Sequence, residues 1–175
     1  MSLENLIVEY LQRATTEVFA TMLGSELARG EASGEKTLPD PGDGVVTFIG
    51  VAGPWAGTGS ISCSPAAACR VCSCLLQTEA ASVDEEVLDA MAELTNMIIG
   101  GVKTDLEQHL GPLGLSIPTV VFGRNFKTKA AGGAAWTAVR FDWEGEAILV
   151  KFCLAPAERA SRALPLPGQD CALEI

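Results

Sequence analysis

Apolar residues recur at helical spacing from the beginning of the chain. Leu3, Leu6, Ile7, Tyr10, Leu11, Val18, Met22 and Leu23 predict an amphipathic helix over residues 3–28, with Gly24 close to its end. Residues 29–44 (RGEASGEKTLPDPGDG) lose that periodicity to Gly, Pro and charge, which predicts a loop. Two β-branched runs follow, VVTFIGVAG and GTGSISCS, separated by Pro54, Trp55, Ala56 and Gly57, and they predict a strand, a turn and an antiparallel strand. Ser64 is a candidate cap and Pro65 a first helical residue for a helix running to about Leu76. Ser82, Asp84 and Glu85 suit the start of a second long helix, expected to reach about Leu110. Gly111, Pro112 and Gly114 stop it, and SIPTVVFG, AAWTAVRFDW and EAILVKFCLA predict three further strands. Pro156 marks the expected edge of a domain spanning residues 1–155, and residues 156–175, with Pro165, Pro167 and Gly168, are expected to be a loosely attached tail.

The order contains a repeat. Residues 14–24 align without gaps on residues 90–100, matching Glu17 to Glu93 and Ala20 to Asn96, and each helix precedes strands carrying a Trp-x-Gly stretch, Trp55-Ala56-Gly57 or Trp143-Glu144-Gly145. The expected fold is therefore α/β of the α+β kind: two degenerate helix-plus-strands repeats, with long helices packed on an antiparallel sheet. At 175 residues and 48% hydrophobic content, one domain with a substantial core is the natural solution.

Charge narrows the function. A net charge of −10 with only 12 Lys and Arg argues against nucleic acid or an anionic membrane as a partner. Glu4 and Glu9 interrupt any secretory signal and no apolar run is long enough to span a bilayer, so a cytosolic protein is expected, with its six cysteines reduced.

The second long helix carries the candidate chemistry. At about 100° per residue, Asp89, Glu93, Asn96, Gly100 and Lys103 fall on one stripe, and Leu88, Ala92, Thr95, Ile99, Val102 and Leu106 on the neighbouring apolar stripe. Polar pairs three residues apart are usually a solvated face. Asn96 departs from that, because asparagine is a poor former in a helix interior and nothing local asks for it. Ala92 and Gly100 keep the surface beside the pair low, so another protein could approach closely.

Asp89-AMA-Glu93-LT-Asn96, continued by Met97, Ile98, Gly100 and Lys103, resembles the active helix of the CheC, CheX and FliY phosphatases of bacterial chemotaxis, with its (Asp/Ser)xxxGluxxAsn pattern. The likeness extends over residues 5–155 in element order and is greatest to CheX, whose single active helix matches the loss of Asn at Ala20. Ala92 departs mildly from the small residue or Gly that often precedes the Glu. The implied activity is hydrolysis of the aspartyl phosphate of a CheY-like response regulator. Phosphoryl transfer needs an in-line water and charge stabilisation more than a strong base. A neutral amide can both accept from and donate to water and a phosphoryl oxygen, where a carboxylate would repel the anion, which favours Asn96 as the water-orienting group. The resemblance assigns Glu93 to docking on the regulator's active-site lysine, and it implies Mg²⁺ carried by the regulator with no metal or cofactor in this chain. Asp89, Gly100 and Lys103 complete the expected partner-binding stripe. The family also suggests a homodimer built through the sheet. A non-catalytic regulator-binding or flagellar-switch scaffold is the rival reading.

Other candidates are weaker. Cys69 and Cys72, with Cys63 upstream, share a helical face but Cys74 points elsewhere, and small thiols packing a helix on the sheet explain them better than metal or redox chemistry. His109 is expected at the surface near a helix C-terminus, and the glycines around Pro54 lack the lysine of a phosphate-binding loop.

Overall fold

In the computed structural model, which describes residues 2–28, 30–34, 43–124 and 135–158, the first helix, α1 (Leu3–Met22), begins where the Ser2 side chain accepts from the Asn5 N–H at 3.2 Å. It ends earlier than its periodicity predicts. Gly24 takes a left-handed φ of +62°, and the Ser25 N–H turns back onto the Phe19 carbonyl at 3.0 Å, so residues 24–28 leave the helix although Leu27 still packs on the core.

The segment expected to be a plain loop contains a short strand, β1 (Glu31–Gly34). Its residues have no alternating pattern of their own, and the ladder is supplied by a distant strand, with Glu31 opposite Arg140 and Gly34 opposite Thr137. Position 29 and positions 35–42 lie outside the described residues. β2 (Asp43–Ala52) and β3 (Trp55–Cys63) form the predicted hairpin, and the strand resumes already at Trp55. α2 (Pro65–Leu76) starts at Ser64, whose hydroxyl accepts from the Ala67 N–H at 3.1 Å, and α3 (Glu85–Leu110) starts at Asp84, which accepts from the Val87 N–H at 3.0 Å. The strand expected from SIPTVVFG begins only at Thr119, as β5 (Thr119–Arg124); Ser116-Ile117-Pro118 separate it from a two-residue strand just before, β4 (Gly114–Leu115), and both lie beside β2. β6 (Thr137–Trp143) and β7 (Glu146–Pro156) complete the sheet. Residues 159–175 of the expected tail lie outside the described residues.

All described pairings are antiparallel, in the order β1-β6-β7-β3-β2-β4, with β5 also on β2. The order reads alike from both ends: β3 and β7 pair at the centre, β2 and β6 flank them, and the strand that follows each long helix crosses to the other half. The helix halves of the repeat agree in burial at most positions, Met22 (exposed) and Ile98 (buried) being an exception. Ala14 and Ala90, Thr15 and Met91, Phe19 and Thr95, Leu23 and Ile99 are buried, while Glu17 and Glu93, Ala20 and Asn96 are exposed. The Trp-x-Gly stretches are not equivalent: Trp143 ends β6 before the Glu144-Gly145 turn, whereas Trp55 opens β3 after Gly53-Pro54.

Val45, Ile49, Ile61, Val139, Phe141, Ile148, Val150 and Phe152 meet residues of all three helices in one core. α1 and α3 lie side by side, joined by the Arg13–Asp105 ion pair and by Tyr10 Oη to His109 Nε2 at 2.9 Å. His109 is thus exposed, as expected, but engaged.

α3 rests closely on β3. A Cβ at Gly59 would stand 2.8 Å from Ile99, a fully buried side chain with no space to yield. Gly59→Ala is expected to lower the unfolding free energy by about 1–3 kcal/mol through overpacking. Urea unfolding measures it, and an unchanged midpoint would mean that α3 can ride up off the sheet freely.

Candidate active site

α3 is oriented by its inward face. Val87, Ala90, Met91, Leu94, Thr95, Ile98, Ile99, Val102 and Leu106 are buried, so the apolar arc is wider than the stripe read from spacing, and Leu88 and Ala92 from that stripe are its half-buried shoulders. Thr95 adds a polar anchor. Its Oγ1 lies 2.5 Å from Thr47 Oγ1 of β2 and 2.8 Å from the Met91 carbonyl, in a site where an unpaired hydroxyl would be costly. With Thr95 fixed inward, its neighbour Asn96 is turned outward by the helix.

Asp89, Glu93 and Asn96 are all exposed, and among the described residues none of their side chains has a hydrogen-bond or ion-pair partner. They line one shallow groove of about 480 Å³ with Ala92 on the helix side and Ser116, Ile117 and Pro118 opposite. Among the described residues, Asp89 and Glu93 are its ionisable lining groups, so the groove attracts cations and holds a neutral amide beside them. The other two predicted residues lie apart from it. Gly100 borders a separate groove between α1 and α3, with Met97 and Gly101, and Lys103 Nζ pairs with Glu107 Oε1 at 2.9 Å.

The opposing wall is what spacing along the helix does not reveal. The Ser116 N–H donates to the Gly50 carbonyl at 2.9 Å, the Gly50 N–H donates to Ser116 Oγ at 2.8 Å, and Ser116 Oγ donates to the Ile117 carbonyl at 3.0 Å. A Cβ at Gly50 would come within 3.3 Å of Ser116 Oγ, so the close seating of the loop depends on that glycine. Pro118, which cannot donate to a ladder, is the sequence signal that this stretch breaks the strand.

Glu107 secures the turn leading into the wall. It accepts the Leu113 N–H at 2.8 Å, and this bond first, then Lys103, holds its carboxyl below the ordinary glutamate value. A depressed value means that the stabilisation is complete above the unfolded-state pKa, about 4.3, and is lost as pH falls through the lower folded-state value. The stability difference between wild type and Glu107→Gln should therefore be level near neutrality and shrink on acidification below about pH 4. Urea midpoints across that range check it, and a difference that widens in acid would contradict it.

No group of three or more His, Cys, Asp or Glu is placed to hold a metal ion among the described residues. Cys63 and Cys72 are buried, Cys69 and Cys74 are half-buried, and burial, with Glu146 nearby, pushes the Cys63 thiol up to about 12. That places Cys63 far from thiolate reactivity. Among the described residues no helix is long and apolar enough to cross a membrane.

Comparison with known proteins agrees with this arrangement. Residues 45–142 match the family described as chemotaxis phosphatase CheX. The chain is 35% identical over 128 residues to the CheY-P phosphatase CheX of Thermotoga maritima, covering 72% of this chain and 81% of that one. A chemotaxis protein CheX from Vibrio vulnificus superposes with a TM-score of 0.77 at 23% identity, covering 85% of this chain and 99% of that one. The CheX chain of a complex with CheY, beryllium fluoride and Mg²⁺ from Borrelia burgdorferi gives 0.69 at 24% identity, covering 85% and 97%. The antiparallel sheet, the paired long helices and these matches together show that the chain belongs to the CheX family of chemotaxis phosphatases.

Proposed function

We propose that this protein dephosphorylates a CheY-like response regulator, with Glu93 and Asn96 of α3 entering the regulator's active centre. The observation that carries the reading is that these two side chains stand exposed, without partners among the described residues, on a helix fixed along its inner face. The name of the Thermotoga relative and the CheY-bound state of the Borrelia neighbour support the choice of substrate.

The chemistry follows from the residue types. Asn96 accepts a hydrogen bond from the attacking water through its carbonyl and donates its N–H to a phosphoryl oxygen, which aligns the water with phosphorus, and the water's proton leaves with the phosphate. The new O–P bond forms as the P–O bond to the regulator's aspartate breaks, giving inorganic phosphate and a free carboxylate. Glu93 pairs with the regulator's lysine and sets the depth of docking. Asp89, one turn back, meets the cationic rim. Gly100 and Lys103 belong at the periphery of this contact, Lys103 after leaving Glu107. A divalent cation belonging to the regulator would supply charge stabilisation at the phosphoryl group. We place the reaction in the cytosol, by a homodimer joined through the sheet, whose mass light scattering would measure.

The test is the decay of a phosphorylated CheY-type receiver with wild type, Glu93→Ala and Asn96→Ala. Acceleration by wild type alone supports the reading. Equal decay with all three overturns it, and binding without acceleration would instead mark a scaffold.

A further inference from the structure

We infer that the Ser116-Ile117-Pro118 loop is a preformed apolar docking ridge, with Ile117 the residue that anchors an apolar patch on the receiver domain beside its phosphorylated aspartate. The inference rests on the phosphatase reading and names a part of the contact that the Glu-Asn pair does not supply.

Ile117 is 88% exposed, well above Met22 at 49%, Phe122 at 48%, Leu76 at 46% and Val121 at 38%. Such exposure is ordinary on a loose loop, but this loop is held. Ser116 fastens it to β2 through two bonds with the Gly50 backbone and braces the Ile117 carbonyl with a third, while Pro118 restricts the backbone that follows. An apolar side chain displayed on an ordered support loses little freedom when a partner covers it.

Position selects the occupant. Ile117 and Pro118 line the same groove as Glu93 and Asn96, so a partner that brings a phosphoryl group to the Asn96 amide must also cover Ile117. The charges of the groove are both carboxylates, which steer a cationic surface and raise the rate of encounter. Residence requires buried apolar area, and Ile117 is the large apolar side chain that the groove presents.

The experiment compares wild type, Ile117→Ser and Ile117→Leu in single-turnover dephosphorylation of a phosphorylated CheY-type receiver, and in titration of the same receiver loaded with beryllium fluoride. Ile117→Ser should raise the half-saturating concentration by about tenfold while the maximal rate stays within twofold, and Ile117→Leu should restore binding. Half-saturation within twofold of wild type for Ile117→Ser, or a fall in maximal rate alone, would overturn the inference. If wild type fails to accelerate decay, the phosphatase reading falls, and the titration still decides whether Ile117 anchors the receiver.

Discussion

Asn96→Asp should lower the maximal rate of receiver dephosphorylation by about a thousandfold, although it exchanges one amide for a carboxyl of the same shape. The substitution removes the N–H that faces the phosphoryl group and places a negative charge against it. Two unit charges about 4 Å apart at an effective dielectric of 20 repel by about 4 kcal/mol, and every 1.4 kcal/mol is about tenfold in rate. Asn96→Ala removes the water's partner without adding repulsion, so its loss should be smaller, about a hundredfold. Because Asn96 is exposed and its side chain has no partner among the described residues, neither change should alter stability by more than about 0.5 kcal/mol. Phosphate release at saturating receiver measures the ordering. Equal activity of Asn96→Asp and wild type would remove the amide from the mechanism.

Glu93→Lys should act chiefly on binding. It sets a cation against the regulator's lysine, where truncating one partner of a buried charge pair already costs about 2–5 kcal/mol. Half-saturation should move by at least a hundredfold, with Glu93→Gln intermediate. Added salt should weaken wild type more than Glu93→Gln, which keeps only the Asp89 charge of the groove. A Glu93→Lys variant that saturates normally and is slow only at its maximum would give Glu93 a role in the chemical step instead.

The elements legible in the sequence are those governed by local chemistry. Ser64 with Pro65, and Asp84 with Glu85, start their helices at the positions their capping groups dictate. The exposure of Glu93 and Asn96 is legible for a related reason: an asparagine mid-helix runs against local propensity, and nothing in the packing of the helix calls for it. The features that escaped are tertiary. β1 is a strand only because β6 supplies its ladder, and the Ser116-Ile117-Pro118 loop is held in place by bonds from Ser116 to Gly50, sixty-six residues earlier, although Pro118 signals the break itself. The width of the apolar arc on α3 was underestimated because that helix packs at once on α1, α2 and the sheet. The far wall of the groove, with Ile117, was therefore invisible to any reading of α3 alone.

Single-turnover decay of a phosphorylated CheY-type receiver, followed at rising concentrations of wild type and Asn96→Ala, separates capture from chemistry most directly. Two titrations with similar midpoints are expected, wild type climbing to a fast plateau and Asn96→Ala settling close to the receiver's own decay. An Asn96→Ala plateau as fast as that of wild type would contradict that expectation.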